Sequence, residues 1–493
     1  MNGKIIIDGN KDKVESNSQL IQLKQFSELA IYDNVILCNN LNKIRKTTTE
    51  YGSALSVAKS KINIYGGEIS NNIYEIYVDK NSSEAILPEI MENDYIFEVR
   101  GVGIFMNCAK LYMYGGKISN NEGINNTNIF SNKNSTNSNN NQKLYGLYQR
   151  CLGIAIYSEA YSKIYLYKGE ISNNYAENNA KSNLLEPIEK TVTKLSEVSH
   201  CIYGSGLYFN YTDFEMFDDF IFQNNNSILD SDLTIEKNCK ISNVNLSIRG
   251  GQIFGYASQI KIHGGTIQNT KYISNKNINI APEEEEVKKN IGSTDFGGGI
   301  DSVSNKDVEI NNLIIKKCKS MHGGAIYLSN SSMKISNSEF DGNIAEGSGG
   351  AIYSSDDCEI ELYNNKILNN YSQEGSGGGI YAYGNLIIDG EKSLISNNVA
   401  GTNGGGIIIK NTGLIKNCSI YNNKAKNSGG GIYIDGNLLL EKAKIYLNSC
   451  DLRGGGIFYS TSKKFLYDKN KIDKMVYDNT AVLNGNNFFP EIN

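Results

Sequence analysis

The stretch that decides the fold is GGGIYIDGNLLLEKAKIYLNSC, residues 429–450. A glycine triplet leads into a short apolar run, and an alternating segment follows and ends in Ile-Tyr-Leu-Asn. A phosphate-binding loop would need a helix after the glycines or a terminal Lys-Ser/Thr pair. Strand-forming residues follow here instead, and the same pattern recurs along the chain. The glycines therefore indicate a repeated turn and not a single site.

The repeat has two parts. The first is GGGI or GGAI, and in the C-terminal half its last residue falls at Ile300, Ile326, Ile352, Ile380, Ile407, Ile432 and Ile457. The intervals between these positions are 25 to 28 residues. The second part, Ile/Phe-x-x-Asn, trails the first by 13 to 15 residues, as in FDGN at Phe340. A fixed two-part spacing of this kind is the signature of a solenoid.

The N-terminal half carries the same pair of motifs at a wider interval. The pairs are Ile21 and Ile36, Leu55 and Ile69, Ile104 and Ile118, Ile156 and Ile171, Leu207 and Phe222, and Ile253 and Ile267. Successive copies from Leu55 onward start about 50 residues apart, so thirteen copies are predicted in all. The extra length falls in five insertions at one corner of the coil, at about 73–99, 122–150, 176–200, 226–249 and 270–296.

The insertions differ in composition from the repeat. Residues 126–142 are rich in Asn and Ser, and residues 282–289 read PEEEEVKK. Such polar segments bury too little apolar surface to order themselves, so both are expected to be mobile. Functional loops and neutral insertions both remain open as interpretations.

Between the two motifs lies a short alternating segment such as KINIY, residues 61–65. Period-two alternation places Ile62 and Ile64 on one face and Asn63 and Tyr65 on the other, as in a half-buried strand. A helix is excluded because Gly and β-branched residues dominate and no period of 3.6 is present. One unit cannot bury its apolar face alone, whereas stacked units form a continuous core.

The predicted fold is therefore all-β, one right-handed parallel β-helix of about thirteen coils that runs through residues 1–493. The right hand follows the usual hand of parallel β crossovers. Residues 1–296 hold the coils with insertions, 297–460 the compact coils, and 461–493 a terminal coil and the C-terminal end.

The Asn of the second motif is predicted to lie at a turn. Asn tolerates left-handed backbone geometry, and identical amides stacked coil over coil can form a hydrogen-bonded ladder. The predicted ladder consists of Asn72, Asn121, Asn174, Asn225, Asn343, Asn370, Asn398, Asn423 and Asn448. Thr270 and Cys318 replace the Asn in two coils, where an interruption is expected.

The residue after the inward Ile of the first motif is expected to point outward, and it is mostly aromatic. The aromatic column comprises Phe105, Tyr157, Tyr208, Phe254, Tyr327, Tyr353, Tyr381, Tyr433 and Phe458. Two interpretations remain open: mutual packing that reinforces the sheet, or a platform for sugar rings or a protein partner.

Composition excludes several classes of function. The net charge is −5 with acidic and basic residues interspersed, so nucleic acid and anionic membranes are not expected partners. No apolar run reaches 18 residues, so no membrane-spanning helix is expected. Nine cysteines without a CxxC pair argue against a disulfide scaffold and a zinc site. Cys151 and Cys201 precede equivalent positions and could meet on neighbouring coils, but free thiols are the preferred interpretation.

No catalytic motif stands out, and no cofactor or metal is expected. The three histidines are His200, His263 and His322, and the acidic doublets within the coils are 218–219 and 356–357. Neither doublet has a His or Arg neighbour in a shared motif, as an acid–base pair on a polysaccharide would need.

GGAI at Gly323–Ile326 and at Gly349–Ile352, with FDGN at Phe340–Asn343 and the connecting NIAEGSGGAIY, resembles the polymorphic outer-membrane-protein repeats of bacterial surface proteins. The pattern is also similar to the repeats of large β-helical adhesins. The resemblance implies a right-handed β-helix of pectin-lyase-like fold in a surface-exposed, adhesin-like protein.

The function expected from this resemblance is non-enzymatic binding of a glycan or protein on a host or cell surface, or a structural scaffold. The alternative is a polysaccharide lyase or glycoside hydrolase of pectin-lyase-like fold. The N-terminus lacks the apolar segment of a secretory signal. The chain therefore stays inside the cell, leaves by another route, or is a mature form or a fragment.

Overall fold

A computed structural model gives the fold of the chain. It describes residues 4–10, 18–44, 54–78, 94–130, 146–184, 193–236, 239–281, 291–292, 294–459, 465–468 and 471–490. Their strands pair in parallel within five sheets, named here A to E, and equivalent residues of successive coils lie side by side. The prediction of an all-β parallel β-helix is confirmed.

Sheet C receives the strand after the glycine motif of each coil. Its fourteen strands are Ile21–Leu23, Leu55–Ala58, Ile104–Asn107, Ile156–Glu159, Leu207–Asn210, Ile253–Tyr256, Ile300–Val303, Ile326–Ser329, Ile352–Ser354, Ile380–Ala382, Ile407–Ile409, Ile432–Ile434, Ile457–Tyr459 and Phe488–Phe489. The first thirteen begin at the residues that the repeat spacing predicts.

Sheet A follows and takes two strands from most coils, one on each side of a turn. Its first column contains Glu28–Ile31, Lys61–Ile64, Lys110–Met113, Lys163–Ser172, Asp213–Gln223, Gln259–Ile262, Val308–Asn311, Ser332–Ser336, Glu359–Tyr363, Asn385–Asp389, Thr412–Lys416, Asn437–Glu441 and Phe465–Leu466. Its second column contains Ile5–Asp8, Val35–Cys38, Glu68–Ser70, Lys117–Ser119, Gly265–Gln268, Leu313–Lys316, Glu339–Asp341, Lys366–Leu368, Leu394–Ser396, Ser419–Tyr421, Lys444–Tyr446 and Val476–Tyr477. Lys163–Ser172 and Asp213–Gln223 cross both columns.

The compact coils close through sheet E, which has two residues per strand. Its strands are Lys319–Ser320, Ile344–Ala345, Tyr371–Ser372, Val399–Ala400, Lys424–Ala425, Ser449–Cys450 and Thr480–Ala481. One short helix, Ile472–Met475, interrupts the last coil between its two sheet A strands.

The coils with insertions leave sheet A for sheet B and return through sheet D. Sheet B contains Leu41–Ile44, Ile73–Tyr77, Glu122–Asn126, Asn128–Phe130, Tyr175–Asn178, Lys181–Leu184, Asn226–Ile235 and Tyr272–Ile280. Sheet D contains Tyr95–Arg100, Leu147–Leu152, Thr193–Tyr203, Cys239–Arg249 and Ile291–Gly292. Except for Leu41–Ile44, these strands lie within the five segments that the sequence marks as insertions or overlap them at one end.

Two separate hydrophobic cores result. The first runs along the rod between sheets A and C, with Ile104, Ile326 and Ile432 among its members. The second includes Phe97 and Val99 of sheet D and Tyr74 of sheet B, all fully buried. The insertions therefore build a second lobe with its own core, because alternating strands such as IYEIY present an apolar face to each other across it.

Mobility was expected for residues 126–142 and 282–289. Asn128–Phe130 in the first of these is a strand of sheet B with Ile129 fully buried. Residues 131–142 and 282–289 lie outside the described residues.

The geometry of the turn at the glycine motif explains why glycines recur at these positions of each coil. Gly429 has φ of +68°, a left-handed conformation that glycine adopts without strain. A Cβ on Gly430 would overlap the carbonyl oxygen of Gly455 in the next coil. One glycine is therefore needed for the turn and the next for the close stacking of coils.

Candidate functional site

The predicted aromatic column lies on the outer side of sheet C, and its rings stack on one another. The centroid distances are 5.2 Å for Phe105–Tyr157, 4.9 Å for Tyr157–Tyr208, 5.3 Å for Tyr208–Phe254, 5.3 Å for Tyr327–Tyr353, 4.9 Å for Tyr353–Tyr381 and 4.7 Å for Tyr433–Phe458. Phe489 extends the column from Phe458 at 5.6 Å. Asp301 and Ile408 occupy the column where it breaks.

The rings of this column are less exposed than the sequence predicts. Phe105 is 3% exposed, Tyr157 4% and Phe254 4%, because sheet D packs against this corner. Leu152 forms a cluster with Phe105 and Tyr157, and the Tyr203 ring stacks on Phe254 at 4.8 Å. The expected exposed stripe is therefore corrected for the N-terminal half, where the column is an interface between the two lobes.

In the compact coils the column is partly open. Tyr327 is 8% exposed, whereas Tyr353, Tyr381, Tyr433 and Phe458 are half-buried. A role of these rings in binding stays a prediction.

Arginine and glutamate side chains fill the corner between the lobes. The Arg100 guanidinium contacts the Glu98 carboxylate and lies over the Tyr157 ring at 5.3 Å. Arg150 lies 3.5 Å from the same carboxylate. The Tyr157 hydroxyl donates a hydrogen bond to Glu159 at 2.7 Å, and burial raises the pKa of that phenol. Each buried charge therefore has a partner of opposite sign, as burial requires.

The asparagine ladder lies inside the rod. Each side-chain amide donates to the carbonyl oxygen of the next, as at Asn72–Asn121 (2.9 Å), Asn121–Asn174 (3.0 Å), Asn174–Asn225 (2.8 Å), Asn343–Asn370 (3.0 Å), Asn370–Asn398 (3.0 Å), Asn398–Asn423 (2.9 Å) and Asn423–Asn448 (3.0 Å). Asn448 continues the series to Asn479 at 2.9 Å. The left-handed turn residue is the preceding one, for example Asn397 with φ of +56°, which corrects the expected role of the ladder residue itself.

The ladder changes chemistry at the two replaced positions. Asn225 contacts the amide oxygen of Gln252, whose own amide lies 3.2 Å from Thr270 Oγ1. The Thr270 hydroxyl donates to Cys318 Sγ at 3.3 Å, and the Cys318 backbone N–H donates to Asn343 at 3.0 Å. Amide-to-amide bonding stops here, but a chain of polar contacts spans the gap.

A second aromatic row, which we call the sheet A aromatic row, was not singled out from the sequence. It consists of Tyr32, Tyr65, Tyr114, Tyr167, Phe217 and His263, stacked at successive centroid distances of 5.2, 5.3, 4.9, 4.5 and 4.8 Å. Tyr32 is 55% exposed, Tyr65 45% and Tyr114 41%. Tyr112 and Tyr165 form a parallel pair beside it at 4.9 Å. The first three rings of this row are exposed to solvent, in contrast to the N-terminal half of the column on sheet C, which sheet D covers.

The signal for this row is present in the alternating segments. KINIY, KLYMY and KIYLY each end in a tyrosine on the face opposite the core, at residues 65, 114 and 167. Their separation of about 50 residues conceals that they are neighbours, because only the folded insertions bring the coils into register.

The three histidines lie in different parts of the fold. His200 is fully buried in the second lobe between the Ser182 and Ser231 hydroxyls, at 2.9 and 2.7 Å, and burial lowers its pKa to about 3. His322 accepts a hydrogen bond from the Ser348 backbone N–H at 3.0 Å. Among the described residues, no group of three or more His, Cys, Asp or Glu could hold a metal ion.

The free thiols of the described side chains include Cys108, Cys151, Cys201, Cys318, Cys358, Cys418 and Cys450, and the Cys239 side chain lies outside the described part. Arg150 pairs with Cys201 and Cys151 with Ile202 across the two strands, so the two thiols project from opposite faces of sheet D. They do not meet.

Comparison with known proteins identifies the repeat. Residues 337–355 and 417–435 match the family model of the Chlamydia polymorphic membrane protein repeat. Both stretches cover the same part of a coil, from the second sheet A strand through the Asn ladder and the glycine corner to sheet C. No curated protein and no solved structure matches the chain. Among the described residues, no helix has the length and apolarity needed to cross a bilayer.

Proposed function

We propose that this chain is a non-enzymatic β-helical protein of the cell surface that binds a glycan or protein on another cell. The observation that carries the proposal is the match of two coils to the polymorphic membrane protein repeat, a repeat found in surface proteins of adhesin type. The architecture supports it, because a solenoid stacks equivalent side chains into long, regular surfaces suited to extended contacts.

Two surfaces are candidates for the contact. One is the open part of the sheet C column, where Tyr353, Tyr381 and Tyr433 are half-buried. The other is the sheet A aromatic row, whose first three rings are 41 to 55% exposed. Contiguous exposed aromatic surface of this kind marks binding sites on soluble proteins.

The location is tested by protease shaving of intact source cells, with an antibody against the compact coils as readout. We expect the chain to be cleaved while a cytosolic marker stays intact. Full protection of the chain on cells whose known surface proteins are digested would contradict the proposal.

The sheet C column is tested separately with a chain carrying Tyr327→Ser, Tyr353→Ser, Tyr381→Ser and Tyr433→Ser. We expect weaker binding to target cells while the β-rich circular dichroism survives. Unchanged binding would remove this column from consideration and leave the sheet A aromatic row.

A second candidate function is cleavage of a polysaccharide. The observation that favours it is the cluster of Glu98, Glu159 and Glu197 with two arginines between the lobes. Such an enzyme would release reducing or unsaturated ends from an anionic glycan, and Glu98→Gln would abolish that release. A broad glycan panel without product would exclude it.

A further inference from the structure

We infer that the sheet A aromatic row binds a linear, uncharged, β-linked polysaccharide that lies parallel to the axis of the rod. This inference rests on the proposed function, since it names the ligand class of one of its two candidate surfaces. It adds a site and a ligand chemistry that the repeat match does not contain, because the matched residues 337–355 and 417–435 lie in other coils.

The first argument is periodicity. Six rings, from Tyr32 to His263, follow one another at 4.5 to 5.3 Å, a spacing that the parallel strand ladder imposes. A hexose unit in an extended β-linked chain has nearly this length. Successive sugars can therefore meet successive rings in the same way, whereas the surface of a globular protein has no such repeat.

The second argument is hydrogen bonding. Within the described residues the hydroxyls of Tyr65, Tyr114 and Tyr167 make no hydrogen bond, and neither do those of Tyr112 and Tyr165. The faces of the rings stack on one another, so their edges and hydroxyl groups point outward. A regular array of free phenols can both donate to and accept from a hydroxyl-rich polymer.

The protonation of these phenols supports the same ligand. Partial burial raises the pKa of Tyr165 and of Tyr167, so both hydroxyls remain donors at neutral and mildly alkaline pH. They add no negative charge to the surface there.

The third argument is charge. Lys61 pairs with Glu28 at 2.9 Å and Lys163 with Asp213 at 2.8 Å, both beside the row. Glu215 lies 3.7 Å from His263 at its end. With Lys110 and Lys261, these strands place four lysines and three carboxylates on this face, interspersed along the row. A surface of mixed charge with so small an excess gives little attraction to nucleic acid or an acidic glycan, and it suits an uncharged chain.

The test uses the full chain and two probes, insoluble cellulose and chitin, with soluble cello- and chito-oligosaccharides for affinity. We expect retention on at least one polymer, and retention that is insensitive to salt, because no ion pair forms with the ligand. A hexasaccharide should bind roughly tenfold or more tightly than a trisaccharide of the same sugar, since it spans the whole row.

The variant replaces Tyr65, Tyr114 and Tyr167 by Ser, and a second variant replaces the same three by Phe. The Ser variant should lose roughly tenfold or more of its affinity. The Phe variant keeps the stacked rings, and its affinity should fall several-fold. Because the rings remain, this loss measures the contribution of the hydroxyl groups to binding without risk to the fold. The control replaces Tyr421 and Tyr446, which stack at 5.1 Å on the same sheet in the compact coils, by Ser.

Three results would overturn the inference: no retention on either polymer, unchanged affinity in the Ser and Phe variants, or equal loss in the control. Salt-sensitive binding to an acidic glycan, or binding to a cell-surface protein that needs the row, would also overturn it. The proposed function fails by a different result, namely full protection of the chain during protease shaving.

Discussion

Arg249 Nε donates a hydrogen bond to Asp301 Oδ2 at 2.7 Å, and the Asp301 carboxylate is fully buried. Asp301 occupies the sheet C column between Phe254 and Tyr327, where neighbouring coils place a ring. The Arg249 guanidinium also lies over the Phe254 and Phe296 rings, at 5.6 and 4.8 Å. The Arg249–Asp301 pair therefore takes the place of a ring in the column, at the coil where the second lobe ends and the compact coils begin.

Arg249→Met should destabilise the chain by about 3–5 kcal/mol, because it leaves the Asp301 carboxylate buried without a cation. The measurement is urea denaturation followed by circular dichroism. The double variant Arg249→Met with Asp301→Phe should recover most of this loss by restoring a ring to the column. A double variant as unstable as Arg249→Met alone would contradict the interpretation that the unpaired Asp301 carboxylate causes the loss of stability.

Asn398→Ala should cost about 2–4 kcal/mol, since it removes a buried amide that serves several partners. Asn398 donates to Asn423 and to the Ile367 carbonyl, both at 2.9 Å, and accepts from Asn370. The neighbouring Asn397 is the control, because its φ of +56° is one that glycine adopts freely. Asn397→Gly should leave the free energy of unfolding within about 0.5 kcal/mol of the parent value. An equal loss of stability at Asn397 and Asn398 would contradict a stabilising role of the ladder.

Gly430→Ala should be strongly destabilising, by more than about 3 kcal/mol, because the added methyl meets backbone of the next coil that cannot move alone. Gly342 is the comparison: its φ is +63°, and an added Cβ there would meet only the Lys317 side chain, at an ordinary contact distance of 3.9 Å. Gly342→Ala should cost only about 1 kcal/mol of backbone strain. Gly342→Asn should cost less, since Asn fills the equivalent position of other coils. The thermal unfolding temperatures of the three variants measure this order of stability.

His200→Gln should weaken the dependence of stability on pH. Burial lowers the pKa of His200 to about 3 in the folded chain, whereas the unfolded chain binds that proton below about 6.5. Stability is therefore lost as pH falls through the window between these values, since protonation favours the unfolded state.

Between pH 7 and 5 this contribution amounts to about 2 kcal/mol in the parent chain and is absent from the variant. Denaturation curves at both pH values measure the difference, and parent and variant are compared so that shared carboxylates cancel. Identical pH dependence in both chains would contradict the assignment to His200.

The coil architecture was predictable because each coil repeats the same local requirements. The positive φ of Gly429 and the buried amide of Asn448 follow from a turn that recurs at fixed spacing. The second lobe was not predictable in the same way, because Phe97 and Tyr74 are far apart in sequence and their segments lack the repeat motif.

The sequence by itself determined the parallel β-helix, its glycine corners and the residues of its aromatic and asparagine columns, since stacking equivalent positions follows from periodicity alone. Only the tertiary structure decided which aromatic surface faces solvent. Tyr157 and Tyr114 both point away from the first core, yet sheet D covers Tyr157 and nothing among the described residues covers Tyr114 to the same degree. The exposure of a side chain depends on which distant segments pack against its strand, and the local alternation of apolar and polar residues does not predict that contact.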